Sequence, residues 1–270
     1  MSQKPMGKLA LALVLICAFS AKTHALTPGD LSRVTFEQHP GVQISPDLNF
    51  RDENSTPFRL GDHFGKQPTI LVLGYYRCPM LCSMINDGLI HALQELPLNV
   101  GRDFQIIEVS IDPAETGSAA VQKKSEYVRE YGRPGAANNW HFLMGDERSI
   151  AQLANQAGFR YVHDSQTHEY AHPSGVMVLT PRGKISRYVF GVRLDARELR
   201  DALTAAKEEK SSSIISQVFL LCYHYNPITG RYGALILAIL RVSSLGFVAA
   251  IAWWLFSMTR RSAKGHAPIN

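Results

Sequence analysis

Thr69-Ile-Leu-Val-Leu-Gly-Tyr-Tyr-Arg-Cys78-Pro-Met-Leu-Cys82 is the stretch on which the reading of this chain turns. Thr69 to Tyr75 is an apolar run of strand length, as a strand covered on both faces requires. Ser83 to Leu96 then follows with helical spacing. The two cysteines therefore stand at a strand-to-helix junction. Thiols four positions apart lie on one side of the first helical turn. The partial positive charge of a helix N-terminus favours thiolate over thiol there. Such a pair can cycle between dithiol and disulfide, or it can hold a soft metal ion.

Outward from this junction, strands and helices alternate. Phe104 to Ile111 reads as a second strand ending at the turn signal Asp112-Pro113. Ala119 to Tyr131 has helical spacing, with Val121, Tyr127 and Val128 expected on its packed side. Trp140 to Leu143 reads as a short strand, and Glu147 to Ala157 as a helix closed by Gly158. Gly175 to Thr180 and Lys184 to Phe190 form a hairpin around Pro181-Arg-Gly183. Asp195 to Glu209 reads as a last helix. Alternation of this kind predicts an α/β fold with a mostly parallel central sheet and an antiparallel edge. A dithiol closing the first strand–helix unit makes the arrangement thioredoxin-like. Chemistry in open α/β sheets gathers at the carboxyl ends of strands, where Cys78 and Cys82 lie.

The two ends carry export and membrane signals. Lys4 and Lys8 precede the short apolar run Leu9 to Phe19, and Thr23-His-Ala25 suits a signal-peptide cleavage site. Residues 1–25 are thus expected to be a signal peptide. Residues 26–47 are expected to form an extended lead-in, and 48–210 the folded domain. A linker at 211–233 leads to a transmembrane helix at 234–258. The apolar run Ala234 to Phe256 would reach ~34 Å as a helix, enough to cross a bilayer. Trp253 and Trp254 suit its far boundary. Arg260, Arg261 and Lys264 put the tail, 259–270, in the cytoplasm by the positive-inside rule. The domain is then expected on the periplasmic or extracytoplasmic side, anchored by its C-terminal helix.

A net charge of +5 comes with no basic stripe interleaved with aromatics, so nothing favours nucleic-acid binding. Four cysteines, with Cys17 inside the signal, do not make a disulfide framework. In an exported domain a close cysteine pair meets oxidants, and its redox state becomes a functional matter.

Three residues separate Cys78 from Cys82, one more than in thioredoxin-type exchange. Two thiolates suit Cu(I), a soft ion. A histidine would complete a three-coordinate site, and residues 161–173 hold His163, His168 and His172. His172 lies nearest the start of a strand and is the best placed; His163 and His168 remain alternatives. Zinc would want a fourth ligand, and no clear one stands out. Asp112 reads as a turn residue before Pro113, with a place near the site as the alternative. Met80 could lend a thioether, and Cys222 with His224 forms a second thiol and imidazole pair near the membrane; for both, a structural role is the simpler reading. Tyr75 and Tyr76 are expected to wall the site.

Gly74-Tyr-Tyr-Arg-Cys-Pro-Met-Leu-Cys82, Val109-Ser-Ile-Asp-Pro113, and His172 followed by Val176-Met-Val-Leu-Thr-Pro-Arg-Gly183 together resemble the SCO/SenC family. These are copper-handling, thioredoxin-fold proteins linked to cytochrome oxidase assembly. The resemblance covers about Leu48 to Ala206. It implies that Cys78, Cys82 and His172 bind copper, as Cu(I) with Cu(II) a second state, and that the cysteine pair is redox-active. It also implies a metallochaperone rather than an enzyme, with a membrane oxidase subunit or another cuproprotein as acceptor. The alternative is a thiol–disulfide oxidoreductase that keeps partner cysteines reduced; a thiol peroxidase is a weaker third. Two departures stand out. Met80-Leu81 occupies a place where many members carry Asp-Val, and the expected anchor is C-terminal where members commonly have an N-terminal one.

Overall fold

Apolar runs that must be covered on both sides become the middle of a sheet, and two such runs organise this protein. The computed structural model describes residues 32–78, 81–165 and 167–211, with 243, 244, 247 and 251; the side chains of 81–83 lie outside the description. In chain order, β1 (Thr35–Phe36), β2 (Asn49–Arg51) and β3 (Pro57–Arg59) precede β4 (Thr69–Gly74). Then come α1 (Leu81–Glu95), β5 (Gln105–Ser110), α2 (Gly117–Tyr131), the short α3 (Ala136–Asn139), β6 (Trp140–Leu143) and α4 (Glu147–Gln156). The small strands β7 (Phe159–Arg160), β8 (Val162–Asp164) and β9 (Glu169–Ala171) lead to β10 (Gly175–Leu179), β11 (Ile185–Phe190) and α5 (Ala196–Lys207).

All of β5 and all of β4 except Gly74 are buried. Their side chains alternate between two cores, as a strand's period of two dictates. Ile70, Val72 and Ile106 enter one core, with Leu89 of α1, Tyr127 of α2 and Leu199 of α5. Leu71, Leu73, Ile107 and Val109 enter the other, with Ile150 and Leu153 of α4. Each such side chain contributes roughly 1.5–3 kcal/mol by leaving water.

The main sheet has the order β11-β10-β4-β5-β6. β4 pairs with β5 and β5 with β6 in parallel, while β10 is antiparallel to both β4 and β11. The sheet is therefore mixed rather than mostly parallel by pairing. The late hairpin does not simply add an antiparallel edge. Its first strand sits inside, against β4, because β10 is apolar enough to be buried along its whole length.

Helix ends follow local chemistry. Asp195 accepts from the amides of Arg197 and Glu198 and caps α5, and Asp146 accepts from Ser149 and caps α4. On α2 the packed face is Ala120, Tyr127 and Tyr131, while Val121 is 43% exposed. Residue 121 lies a hundred degrees around the helix from 120, so the larger side chain faces out. The lead-in is tied to the domain: β1 pairs with β7, and Ile44 is fully buried.

Gly158 follows α4 at φ +60°, and its carbonyl accepts the Glu37 amide at 2.7 Å. A β-carbon there would collide with the Glu37 carbonyl oxygen. Gly158→Ala is expected to cost about 2–4 kcal/mol, since a backbone clash at positive φ cannot be relieved by a rotamer change. An unchanged urea midpoint would refute this.

The chain divides into two compact units, Met1–Ser216 and Gln217–Asn270. The sheet belongs to the first. Among the described residues no helix is long and apolar enough to cross a membrane. The expected signal peptide at 1–25 and the tail at 259–270 lie outside the described residues, as do Cys17, Cys222 and His224. So does the expected span at 234–258, apart from 243, 244, 247 and 251, which are helical.

Candidate metal centre

β4 ends at Gly74, and the chain then sends one tyrosine to each side of the sheet. Tyr75 enters the core that α4 covers, and Tyr76 the core under α1 and α2. The Tyr76 hydroxyl donates to the carbonyls of Leu143 (2.8 Å) and Glu108 (3.2 Å), and its amide donates to the Glu115 carboxylate at 2.8 Å. Both walls expected of the site are thus pinned before the first cysteine is reached.

Cys78 closes a turn, its amide donating to the Tyr75 carbonyl at 3.3 Å. It is half-buried against the α4-side core. Arg77 fastens this turn to the loop after β5. Its guanidinium reaches Asp112 and the Ala114 carbonyl, each at 3.1 Å. It also lies 3.1 Å from Glu115, though not aligned for a hydrogen bond. Asp112 further accepts from the Ala114 amide and the Tyr170 hydroxyl. These contacts make Asp112 a fastener between loops, in keeping with its reading as a turn residue. Burial first, then the Asp112 carboxylate, pushes the Tyr170 phenol up to about 12.

His172 stands between β9 and β10 and is 3% exposed. Its ring packs near Phe159 and Tyr75, with centroids 5.8 Å and 6.2 Å away. Its Nδ1 lies 3.0 Å from the Pro173 carbonyl. A carbonyl can only accept, so the proton sits on Nδ1 and the lone pair on Nε2. A histidine that ligates through Nε2 is oriented in this way.

Cys78 and His172 line one narrow cavity of about 20 Å³, together with Tyr75, Tyr76, Asn86 and Glu108. Two of the three expected ligands, ninety-four positions apart in the chain, thus face the same space. Cys82 is the second residue of α1, and its side chain lies outside the described residues, as does Met80. Among the described residues no group of three histidine, cysteine or acidic side chains is placed to hold a metal ion. His163 and His168 are exposed, with ring centres 6.2 Å apart on the β8–β9 hairpin, and neither lines the cavity.

Glu108 and Asn86 were not anticipated as part of this site. The signal for Glu108 was present, an acid in the middle of the apolar run Phe104 to Ile111.

The SCO1/SenC profile matches residues 37–208. The chain belongs to the SCO1/SenC family. The match begins ahead of the Leu48 to Ala206 span that carries the motifs, in line with β1 and Ile44 packing into the domain. Solved structures agree. The protein titled "putative electron transfer protein from Aquifex aeolicus VF5" is 26% identical with a TM-score of 0.55, covering 63% of this chain and 95% of that one. A SCO1/SenC family lipoprotein from Bacillus anthracis is 15% identical with a TM-score of 0.52, covering 64% of this chain and all of its own. BsSco, titled as a member of the Sco family of cytochrome c oxidase assembly proteins with a disulfide switch, is 18% identical with a TM-score of 0.50, covering 64% of this chain and 98% of its own. The last two speak to the thioredoxin-like fold alone. No curated protein matches the sequence.

Proposed function

We propose that this SCO1/SenC chain is a copper metallochaperone. It binds Cu(I) through Cys78, Cys82 and His172 and passes it to a copper-accepting protein, with a cytochrome oxidase subunit as the expected acceptor. The observation that carries the reading is the shared cavity: Cys78 and His172 face one small space at the carboxyl end of β4. A thiol and an imidazole held by Nδ1 are soft and borderline donors, the set that favours Cu(I) over hard cations. Cys82 lies at the start of α1, where the helix dipole supports a thiolate. Disulfide exchange between two cysteines needs no histidine, whereas a three-coordinate Cu(I) site uses one as its third donor, which is why an ion-binding role is preferred to a bare thiol–disulfide oxidoreductase.

The same reading places the domain outside the cytoplasm. The signal-like residues 1–25 and the apolar run 234–258 followed by Arg260, Arg261 and Lys264 support export and a C-terminal anchor. The acceptor then meets the protein at a membrane surface, and ligand exchange moves the ion without releasing it to water.

Anaerobic titration of the full-length, reduced protein with Cu(I) against a chromogenic chelator tests the proposal. One tightly held equivalent per chain is expected. A chain that cannot compete with the chelator overturns the assignment.

A further inference from the structure

Two imidazoles meet at the edge of the sheet, away from the cysteines. β6 is an edge strand, and His141 is its second residue. Trp140 and Phe142 enter the core under α1 and α2, so the strand's period of two turns His141 to the opposite face with Leu143. Phe58 of β3 packs on that face. A single short helical turn, Leu60–His63, then brings His63 back over Phe58. The Phe58 and His63 rings stack with centroids 3.7 Å apart and 9° between their planes. The His141 ring lies 5.0 Å from each of them, its plane turned 65° from that of His63. Gln105 Nε2 donates to the His63 carbonyl at 2.6 Å and fixes the turn against the start of β5. None of Phe58, His63 and His141 lines the cavity that holds Cys78 and His172.

Neither imidazole is hydrogen-bonded to the protein among the described residues, and both residues are half-buried. His39 and His172, by contrast, each have a ring nitrogen beside a backbone carbonyl. Burial pushes His141 down to about 4 and lowers His63 as well. At neutral pH each ring is therefore uncharged and carries a free nitrogen lone pair, the form in which histidine binds a metal. Asp62 and Lys66 act on His63, and Asp52, Glu53 and Lys124 on His141. The surroundings thus carry no excess of positive charge that would repel an ion. A cluster built for packing alone gains nothing from half-burying polar nitrogens without partners.

The spacing is that of a chelate. Two imidazoles that share one ion at a tetrahedral angle, through bonds of about 2.0–2.1 Å, have ring centres about 5 Å apart. Imidazole nitrogen suits Zn(II) and Cu(II), whereas Mg(II) and Ca(II) seek oxygen.

We propose that His63 and His141 form a second metal site, which takes an imidazole-seeking divalent cation, Zn(II) or Cu(II), on two nitrogens with water completing its coordination. Phe58 backs the site, its stacked ring holding the His63 imidazole in place beside His141. With two protein donors and a solvent-facing side, the site exchanges its ion readily, unlike a closed four-ligand structural centre. It is independent of the copper reading at the carboxyl end of β4.

Zn(II) is the probe, because it has no redox chemistry and leaves the cysteines reduced. Full-length reduced protein is dialysed anaerobically to equilibrium against Zn(II), and bound metal is counted in the wild type, His63→Phe and His141→Gln. Phenylalanine keeps the stack on Phe58 and removes the nitrogens. The cysteine centre contributes equally to all three proteins, so the difference isolates the pair. Each variant is expected to lose about one equivalent relative to the wild type. Equal loading of the wild type and either variant overturns the proposal and leaves the copper assignment standing. Should a variant fail to fold, the wild type decides alone. Its histidines are modified with diethyl pyrocarbonate with and without Zn(II), and the products are counted by mass, peptide by peptide. At free Zn(II) about ten times the dissociation constant, modification of both His63 and His141 is expected to slow about tenfold. Mg(II) is expected to leave both rates unchanged. Rates at either histidine that ignore Zn(II), or that Mg(II) slows equally, overturn the proposal.

Discussion

Serine in place of Cys78 or Cys82 is expected to abolish tight Cu(I) binding, a loss of roughly a thousandfold or more, or about 4 kcal/mol. A hydroxyl is a hard, protonated donor at neutral pH and cannot replace a soft thiolate. Cys78 is half-buried at the edge of a core, so its serine variant should keep the fold. His172→Ala should weaken binding about ten- to a hundredfold, because the two sulfurs remain and only the third donor is lost. His172 is buried, however, and truncating it leaves a void beside Phe159 and Tyr75. Some loss of stability will accompany that variant. His172→Asn, which fills more of the space but is a poor donor to Cu(I), separates the two effects. Competition with a chelator, run anaerobically beside thermal melts, gives both readings. Equal affinity in all four variants and the wild type would end the case for these ligands.

Glu108→Gln is expected to stabilise the protein at neutral and alkaline pH, in a way that reveals the cost of the buried acid. Below about pH 4.5 the carboxyl is protonated in both the folded and the unfolded chain, and the two proteins should differ little through ionisation. Between 4.5 and about 8 the unfolded chain releases a proton that the folded chain retains. Stability of the wild type therefore falls as pH rises through this window, by up to about 1.4 kcal/mol per unit. Above about 8 the folded chain releases it too, and the deficit levels off. The gap in favour of glutamine should thus open to about 5 kcal/mol and then stay constant. Urea midpoints at about pH 5, 7 and 9 measure it. A gap that does not change with pH would mean that Glu108 is not held neutral by the fold.

Much of this architecture could be read from residue order because its main elements obey local rules. β4 and β5 announce themselves as apolar runs, α4 and α5 have acidic caps, and Gly158 ends a helix at a backbone angle that suits glycine. What could not be read depends on partners far away. The insertion of β10 beside β4 is set by strand order, which periodicity does not encode. The β8–β9 hairpin has strands of three residues, too short for alternation to emerge from a polar stretch. Val121 looked like a core residue from its type alone, but Tyr127 and Tyr131 fix a face that excludes it.

The site divides along the same line. Cys78, Cys82 and His172 are marked by spacing and by a strand start. The seating of His172 against Phe159 required the fold to bring the lead to β8 under the β10 end of the sheet. Glu108 was visible as an anomaly, yet its hydrogen bonds come from Trp140, thirty-two residues on, and from Asn86, twenty-two residues back.

The narrowness of the space behind Cys78 acts as a steric filter. A bare ion or a single water molecule fits within about 20 Å³, whereas a peptide-sized thiol does not. Among the described residues, Cys78 is the half-exposed side of this space and His172 the buried side, so bulky sulfur compounds are expected to approach from the Cys78 rim. A docking protein is then expected to present its own donor atom at the Cys78 rim.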